Sequence, residues 1–505
     1  MVHIRRSVLL LAALATTVTV GACTADGGDQ RSGTAHGPAR GQQQSDAAGG
    51  PARPDAAAPW SGDGTRASDD PLSTFAVDVD TASYGYARRL IMDGRLPERG
   101  AVRPEEFVNS FRQDYPQPAG DGFAVHVDGA RLPETHEAGG DERLLRVGLQ
   151  TRAEDGERRP DAALTFVIDV SGSMGEPGRL DLVRDALHTL VDQLRPTDSI
   201  AVVEFSDRAR VVREMTPVAD ARPLHAAIDS LHTRDSTNLE AGLVLGYRVA
   251  RDGFRSGRTN RVIVLSDGLA NVGSTDAEPI LRRVRAEAEK QIALLGVGVG
   301  SDYGDTLMEQ LADRGDGFAV YVSEREQARE VFVRQLPATL IVRALDAKVQ
   351  VTFAPQAVRS YRLVGYDNRA LADEDFRDDR VDGGEVGPGH SVTALYAVRL
   401  AEGASPSDRI AQVQVRWTDP ADRTPAETYG SVTVADVQGS FTAASPRLRA
   451  CYAAAWFAET LRGERSDGPV RLADLATIAD GAAAATEDPE VRDLARVIRS
   501  ADELR

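Results

Sequence analysis

The chain has 505 residues, 42% apolar and 27% charged. At roughly 100–200 residues per domain, that length predicts three or four folded units with ample buried core. Basic residues number 59 and acidic ones 77, and the net charge of −18 argues against nucleic acid or another polyphosphate as a partner. All the basic residues except Lys290 and Lys348 are Arg, which reads as a GC-rich genome without mechanistic content. Two cysteines exclude a disulfide scaffold or a cysteine-based zinc site.

Arg5 and Arg6 open the chain, and Ser7 to Val20 supply an apolar run too short to span a bilayer. Small residues follow. This reads as a secretory signal over 1–22, excluded from the fold. The break at Val20-Gly21-Ala22-Cys23 resembles the bacterial lipoprotein box, which implies cleavage before Cys23 and lipidation of that residue. Several acyl chains on one residue give stable anchoring where one is marginal. Loss of Arg5 and Arg6 leaves 57 basic against 77 acidic residues, a charge of −20. The stretch 23–72 is rich in Gly, Ala, Asp, Ser and Gln without periodicity. It reads as a disordered tether, whose roughly 50 residues reach about 40 Å.

A small α/β region is expected over 73–120. Phe75-Ala76-Val77 reads as a strand and Thr81–Met92 and Pro104–Phe111 as helices. Over 121–160, Phe123, Val125 and Val127 alternate, as do Leu145, Val147 and Leu149, the period of a strand. From 161 to 343, short apolar runs alternate with amphipathic helical stretches. The runs are Ala163–Ile168, Ile200–Phe205, Val262–Leu265, Ile292–Val299 and Phe318–Val322. Nearly continuous apolar runs suit strands covered on both faces, so the unit is a doubly wound, mostly parallel α/β sheet. Val183, Leu187, Leu190, Val191 and Leu194 fall at helical spacing between the first two runs, and Asn238–Ala250 and Asp276–Gln291 read as further helices. Ala209–Pro217 fits a short antiparallel edge strand.

Over 344–440 the period returns to two, in Val349, Val351 and Phe353, in Val392–Leu400, and in Val413, Val415 and Trp417. This predicts an antiparallel, sandwich-like region. Residues 441–505 read as helical, with Leu448, Tyr452, Trp456 and Leu461 on one face and a last helix at Val491–Ile498. Cys451 belongs to that apolar stretch as a small core residue. Strand patterns on both sides of the α/β unit suggest that it is inserted into a discontinuous β domain.

The first α/β run ends in Asp169-Val170-Ser171-Gly172-Ser173. Ligands of open parallel sheets bind outside the carboxyl ends of the strands, where Asp169 stands. Side chains at i, i+2 and i+4 converge as the backbone curls into the next helix, and Gly172 lets the turn tighten. One carboxylate and two hydroxyls suit a hard cation such as Mg²⁺, with nothing soft for zinc or copper. Thr237, in Asp235-Ser236-Thr237-Asn238, and Asp267, before Gly268 and after Val262–Leu265, stand where a helix start and a strand end reach the same crevice.

These three pieces in order resemble the metal-ion-dependent adhesion site of von Willebrand factor type A domains, over about 180 residues. The resemblance implies that Ser171, Ser173 and Thr237 are direct or near-direct ligands of Mg²⁺ or Mn²⁺. Asp169 and Asp267 would bind directly or through water. At most two carboxylates leave the cation under-neutralised, and Mg²⁺ prefers six oxygens, so one position stays open for an acidic side chain of a protein partner. More loosely, Phe75–Tyr84 and Leu363–Asp375 resemble bacterial cell-envelope proteins in which such a domain precedes a β-rich region.

The reading is therefore a non-enzymatic, membrane-anchored extracytoplasmic binding protein. Its membrane contact is the lipid at Cys23, and its place is the outer face of a cytoplasmic membrane or the periplasm. One alternative is an envelope scaffold with a structural metal. The other is a metal-dependent hydrolase, for which only His232 lies near a motif. Asp78-Val79-Asp80-Thr81 resembles the aspartate phosphotransferase motif, but Ala82 stands where that motif wants Thr or Val; a strand end with Asp80 or Thr81 capping the next helix fits better. Asp373-Glu374-Asp375, with Asp378-Asp379 and Asp382, lacks the spacing of a calcium loop and reads as solvated.

Overall fold

Among the described residues of the computed structural model, three sheets organise the chain. The description covers residues 64–505, apart from 78–79, 121, 134–141, 154–159, 235, 268–276, 289, 301–307, 309, 313–314, 316, 323–324, 326–327, 329–330, 333–341, 379–380, 382, 421–422 and 464–469. The expected secretory signal, Cys23 and the expected tether as far as residue 63 lie outside the described residues, as do Asp78, Asp379 and Asp382. Among the described residues no helix is long and apolar enough to cross a membrane.

In chain order the first elements are β1 (Thr65–Arg66), β2 (Leu72–Ala76), α1 (Ala82–Met92), α2 (Pro104–Asn109), β3 (Phe123–Arg131) and β4 (Glu142–Thr151). The α/β unit holds β5 (Ala162–Asp169), α3 (Leu180–Gln193), β6 (Ser199–Phe205), β7 (Ala209–Pro217), α4 (Ala221–Asp229) and α5 (Leu239–Asp252). It continues with β8 (Thr259–Ser266), α6 (Ala277–Ala288), β9 (Ala293–Val299) and β10 (Phe318–Val322). Then come β11 (Ala344–Phe353), β12 (Val358–Val364), β13 (Gly384–Val386), β14 (Ser391–Leu400), β15 (Arg409–Thr418), β16 (Pro425–Thr433), α7 (Pro446–Arg462), α8 (Leu472–Thr486) and α9 (Pro489–Glu503).

The α/β sheet runs β10-β9-β8-β5-β6-β7, parallel except for β7, which pairs antiparallel with β6 at the edge. Its inner strands are largely apolar because both faces are covered, whereas the edge strand β7 is mostly half-exposed. Leu164, Phe166 and Ile168 join the core under α3, and Val167, Val262 and Val264 join the core under α5. The order turns around β5, whose carboxyl end is therefore the crevice of the sheet.

A second sheet runs β1-β12-β14-β4-β3, and a third runs β13-β11-β15-β16 with β2 also on β11. β4, before the α/β unit, pairs antiparallel with β14, after it. The α/β unit thus interrupts a sandwich whose inner face carries Leu145, Val147, Tyr396, Val349 and Val413. The other face of the second sheet, with Leu144 and Leu395, packs on a helical core shared by α1, α2, α7, α8 and α9. Cys451 is buried there as a free thiol, its Sγ 2.9 Å from Gln113 Oε1, and burial pushes its pKa up.

Three expectations change. The end of the expected tether, residues 65–67, belongs instead to the folded part, because Thr65 and Arg66 pair with Tyr361 and Ser360 and Ala67 is buried. Thr81 occupies the N-cap of α1 without a side-chain bond. Asp80 instead accepts from the Ala319 amide at 2.7 Å and pairs with Arg369 at 2.9 Å, tying the N-terminal segment to β10 and to the loop after β12. The acidic turn Asp373–Arg377 is not merely solvated. Carbonyls of Asp375 and Asp378 accept from the buried Lys348 ammonium at 3.4 and 2.6 Å, so the chain supplies this loop's cation itself.

Candidate metal centre

β5 ends at Asp169, and the chain turns through Val170 and Ser171 into a 3-10 turn, Gly172–Gly175, before α3. Asp169 and Ser171 are buried and Ser173 is exposed. Asp169 Oδ1 accepts from the Ser171 amide at 2.8 Å, and Oδ2 accepts from Ser266 Oγ at 2.6 Å. Ser171 Oγ and Ser173 Oγ lie 3.1 Å apart, and Ser173 Oγ donates to Asp267 Oδ1 at 2.9 Å. Asp267 is buried and directly follows β8, the parallel neighbour of β5. The parallel pairing of β5 and β8 is what brings these two distant carboxylates to one end of the sheet.

Thr237 is buried just before α5. Its loop is held to the same sheet end by the Arg234 amide on the Val170 carbonyl at 2.6 Å and the Asn238 amide on the Ser206 carbonyl at 2.7 Å. Asn238 Oδ1 then caps α5 by accepting from the Ala241 amide at 3.0 Å. Of the five residues expected to meet, four form one hydrogen-bonded chain and Thr237 stands in the adjoining loop.

Burial pushes the Asp169 carboxyl up to about 6. The bonds from Ser266 and Ser171 favour its charged form, and the charge of Asp267 opposes it. Arg179, which the motif reading did not include, supplies the missing positive charge. Its Nη1 lies 2.5 Å from Asp267 Oδ2 and its Nη2 2.6 Å from Glu176 Oε2. Both Arg179 and Asp267 side chains are 4% exposed, so the pair is desolvated. Gly300, at φ +85°, makes the slot, since a Cβ there would sit 2.8 Å from Arg179 Nε. No sequence spacing marks Arg179, because its partner lies 88 residues away across the sheet end.

The donors at this site are all oxygens, and they fit a hard divalent cation rather than zinc or copper. Among the described residues no three or more His, Cys, Asp and Glu side chains gather as a metal cluster. With two carboxylates at the crevice, hydroxyls must supply the remaining protein ligands. His232 is exposed, and its Nδ1 meets the Ser230 carbonyl of its own loop at 2.6 Å, so it does not serve the crevice.

Three family models match the chain. They are described as von Willebrand factor, over residues 61–139, von Willebrand factor type A domain, over 163–334, and "Uncharacterized protein YfbK, C-terminal", over 338–504. The chain is 36% identical over 344 residues to the uncharacterized protein YfbK of Escherichia coli K12, covering 66% of this chain and 59% of that protein. It therefore spans less than two thirds of that relative's length. It is 27% identical over 286 residues to the uncharacterized protein sll0103 of Synechocystis, covering 55% of this chain and 67% of that one. It is 30% identical over 174 residues to human inter-alpha-trypsin inhibitor heavy chain H3, covering 33% of this chain and 19% of that one. A solved von Willebrand factor type A structure from Catenulispora acidiphila covers 76% of this chain and 91% of its own at 17% identity, with a TM-score of 0.46. The six-stranded sheet and the matched segment coincide, and the chain is a von Willebrand factor type A domain protein, the domain lying at residues 163–334.

Proposed function

We propose that this chain is a binding protein that captures an acidic group of a protein partner through a divalent cation, Mg²⁺ or Mn²⁺. Asp169, Ser171, Ser173, Thr237 and Asp267 would hold the cation at the strand ends. The observation that carries this reading is the continuous hydrogen-bonded chain from Asp169 through the Ser171 amide and hydroxyl and the Ser173 hydroxyl to Asp267. When bound, the cation supplies a Lewis-acidic position for an outside carboxylate. Asp169 orients the Ser171 turn, Ser173 is the exposed hydroxyl facing the partner, and Arg179 balances Asp267 in the absence of metal. Such a role belongs to binding rather than catalysis. The leader and Cys23 support a lipid-anchored, extracytoplasmic location, with the segment up to residue 63 as tether.

The test is capture of envelope proteins on the immobilised chain. Recovery of a partner in Mg²⁺ that is lost in EDTA and with Asp169→Ala or Ser171→Ala supports the reading. Recovery that survives both treatments overturns it, and favours a scaffold acting through the sandwich and helices.

A further inference from the structure

We propose that His188 and His225 form a second metal site on the type A domain, a two-imidazole site for a borderline cation such as Zn²⁺ or Cu²⁺. His188 lies on α3 and His225 on α4, 37 residues apart. Their Nδ1 atoms are 2.7 Å apart, with ring planes 19° from parallel and centroids 5.0 Å apart. That centroid separation is what two rings give when they meet nitrogen to nitrogen in a nearly common plane. The Nδ1 lone pairs are therefore aimed at each other.

The far nitrogens fix the proton count. His188 Nε2 lies 3.1 Å from Asp229 Oδ1, and His225 Nε2 lies 3.2 Å from Asp192 Oδ1. A carboxylate accepts, so each Nε2 carries its hydrogen and each Nδ1 is left as a lone pair. Two opposed lone pairs at 2.7 Å require a cation between them. A single proton meets that need in the metal-free protein, and a metal ion meets it equally. Entry of the ion forms two N–metal bonds and releases the bridging proton to solvent.

An outer carboxylate on each ring is the arrangement that orients metal-bound imidazoles and raises their basicity. Two Zn–N bonds of about 2.0–2.1 Å at a tetrahedral angle span roughly 3.3 Å, so the rings need to part by only about 0.6 Å. The side chains are 29% and 30% exposed, which leaves them free to do so and leaves water to complete the coordination. His188 also borders a recess of about 290 Å³ beside Thr189 and Arg325. The other charged groups facing the pair are Arg184, 3.7 Å from Asp229, and Asp185, which is paired with Arg325 at 2.9 Å. Nitrogen donors separate this site chemically from the all-oxygen crevice. It would clamp α3, which starts one residue after Arg179, to α4.

The test is calorimetric titration of Zn²⁺ into the metal-stripped chain, in two buffers of different ionisation heat, with circular dichroism to verify the fold of each variant. The expected result is one Zn²⁺ per chain with release of about one proton, retained in Asp169→Ala and in excess Mg²⁺. Affinity should fall by about tenfold or more in Asp192→Asn/Asp229→Asn and vanish in folded His188→Ala/His225→Ala. Absence of binding by the wild type, undiminished binding by the double histidine variant, or loss with Asp169→Ala overturns the proposal. Because Asp169→Ala removes only the crevice, failure here is distinguishable from failure of the partner-capture reading.

Discussion

Asp169→Asn separates the charge at the crevice from its shape, and stability and metal binding should respond in opposite directions. In the unfolded chain this carboxyl titrates near 3.8, and in the fold burial moves it up to about 6. At about 1.4 kcal/mol per pH unit, ionising it inside the fold costs roughly 3 kcal/mol at neutral pH. The folded form binds its proton more tightly than the unfolded form. Metal-free stability is therefore unaffected by this group below pH about 4, falls as pH rises from about 4 to about 6, and is level above. Asn at this position still accepts from the Ser171 amide, and the Ser266 hydroxyl can turn to accept from the new amide. In EDTA, urea unfolding should show the variant more stable than the wild type by up to about 3 kcal/mol at pH 7 and equal to it at pH 4. Adding Mg²⁺ should stabilise the wild type and leave the variant unmoved. A variant that is no more stable at pH 7, or whose advantage persists unchanged at pH 4, refutes the reasoning.

Three further outcomes follow from the packing. Arg179→Gln strands a buried Asp267, so thermal melts in EDTA should show a loss of about 3–5 kcal/mol, with Mg²⁺ restoring a larger share than in the wild type; an unchanged melt contradicts the pairing. Gly148→Ala places a Cβ 2.2 Å from Tyr115 Cζ, whose hydroxyl is bonded to Thr393, and should cost about 1–3 kcal/mol in chemical denaturation. Asp80→Ala removes the acceptor of the Ala319 amide and the partner of Arg369, so hydrogen exchange at Ala319 should quicken and stability should drop by about 3 kcal/mol.

The α/β sheet was legible because its strands are buried on both faces and write themselves as apolar runs. Even the antiparallel edge β7 showed, at Ala209–Pro217. β4 was legible only by half. Leu145, Val147 and Leu149 mark its sandwich face, but the opposite face carries Arg146, which is buried against Gln113 and against Ser445 at the start of α7. Arg146 there is satisfied by Asp128 at 2.7 Å and by the Tyr115 ring, partners that no spacing reveals. α4 is not marked in the sequence because it is short and carries Pro223, whereas α8 falls within the expected helical region 441–505 but has no marked face of its own, its buried face being largely Ala. β12 and β16 were also missed, the latter an edge strand with one buried residue. At the crevice, the motif named the oxygens but could not name Arg179, nor could it foresee two histidines meeting from separate helices. Both arrangements depend on which elements the fold sets side by side.

The most direct measurement is a crystal of the metal-stripped chain soaked in Mn²⁺, with anomalous differences collected at the manganese edge. A single peak is expected at the strand ends, in contact with Ser171 Oγ and Ser173 Oγ, flanked by Asp169, Thr237 and Asp267, with Arg179 drawn away from Asp267. A crevice without a peak, with Arg179 still on Asp267, would contradict the metal centre.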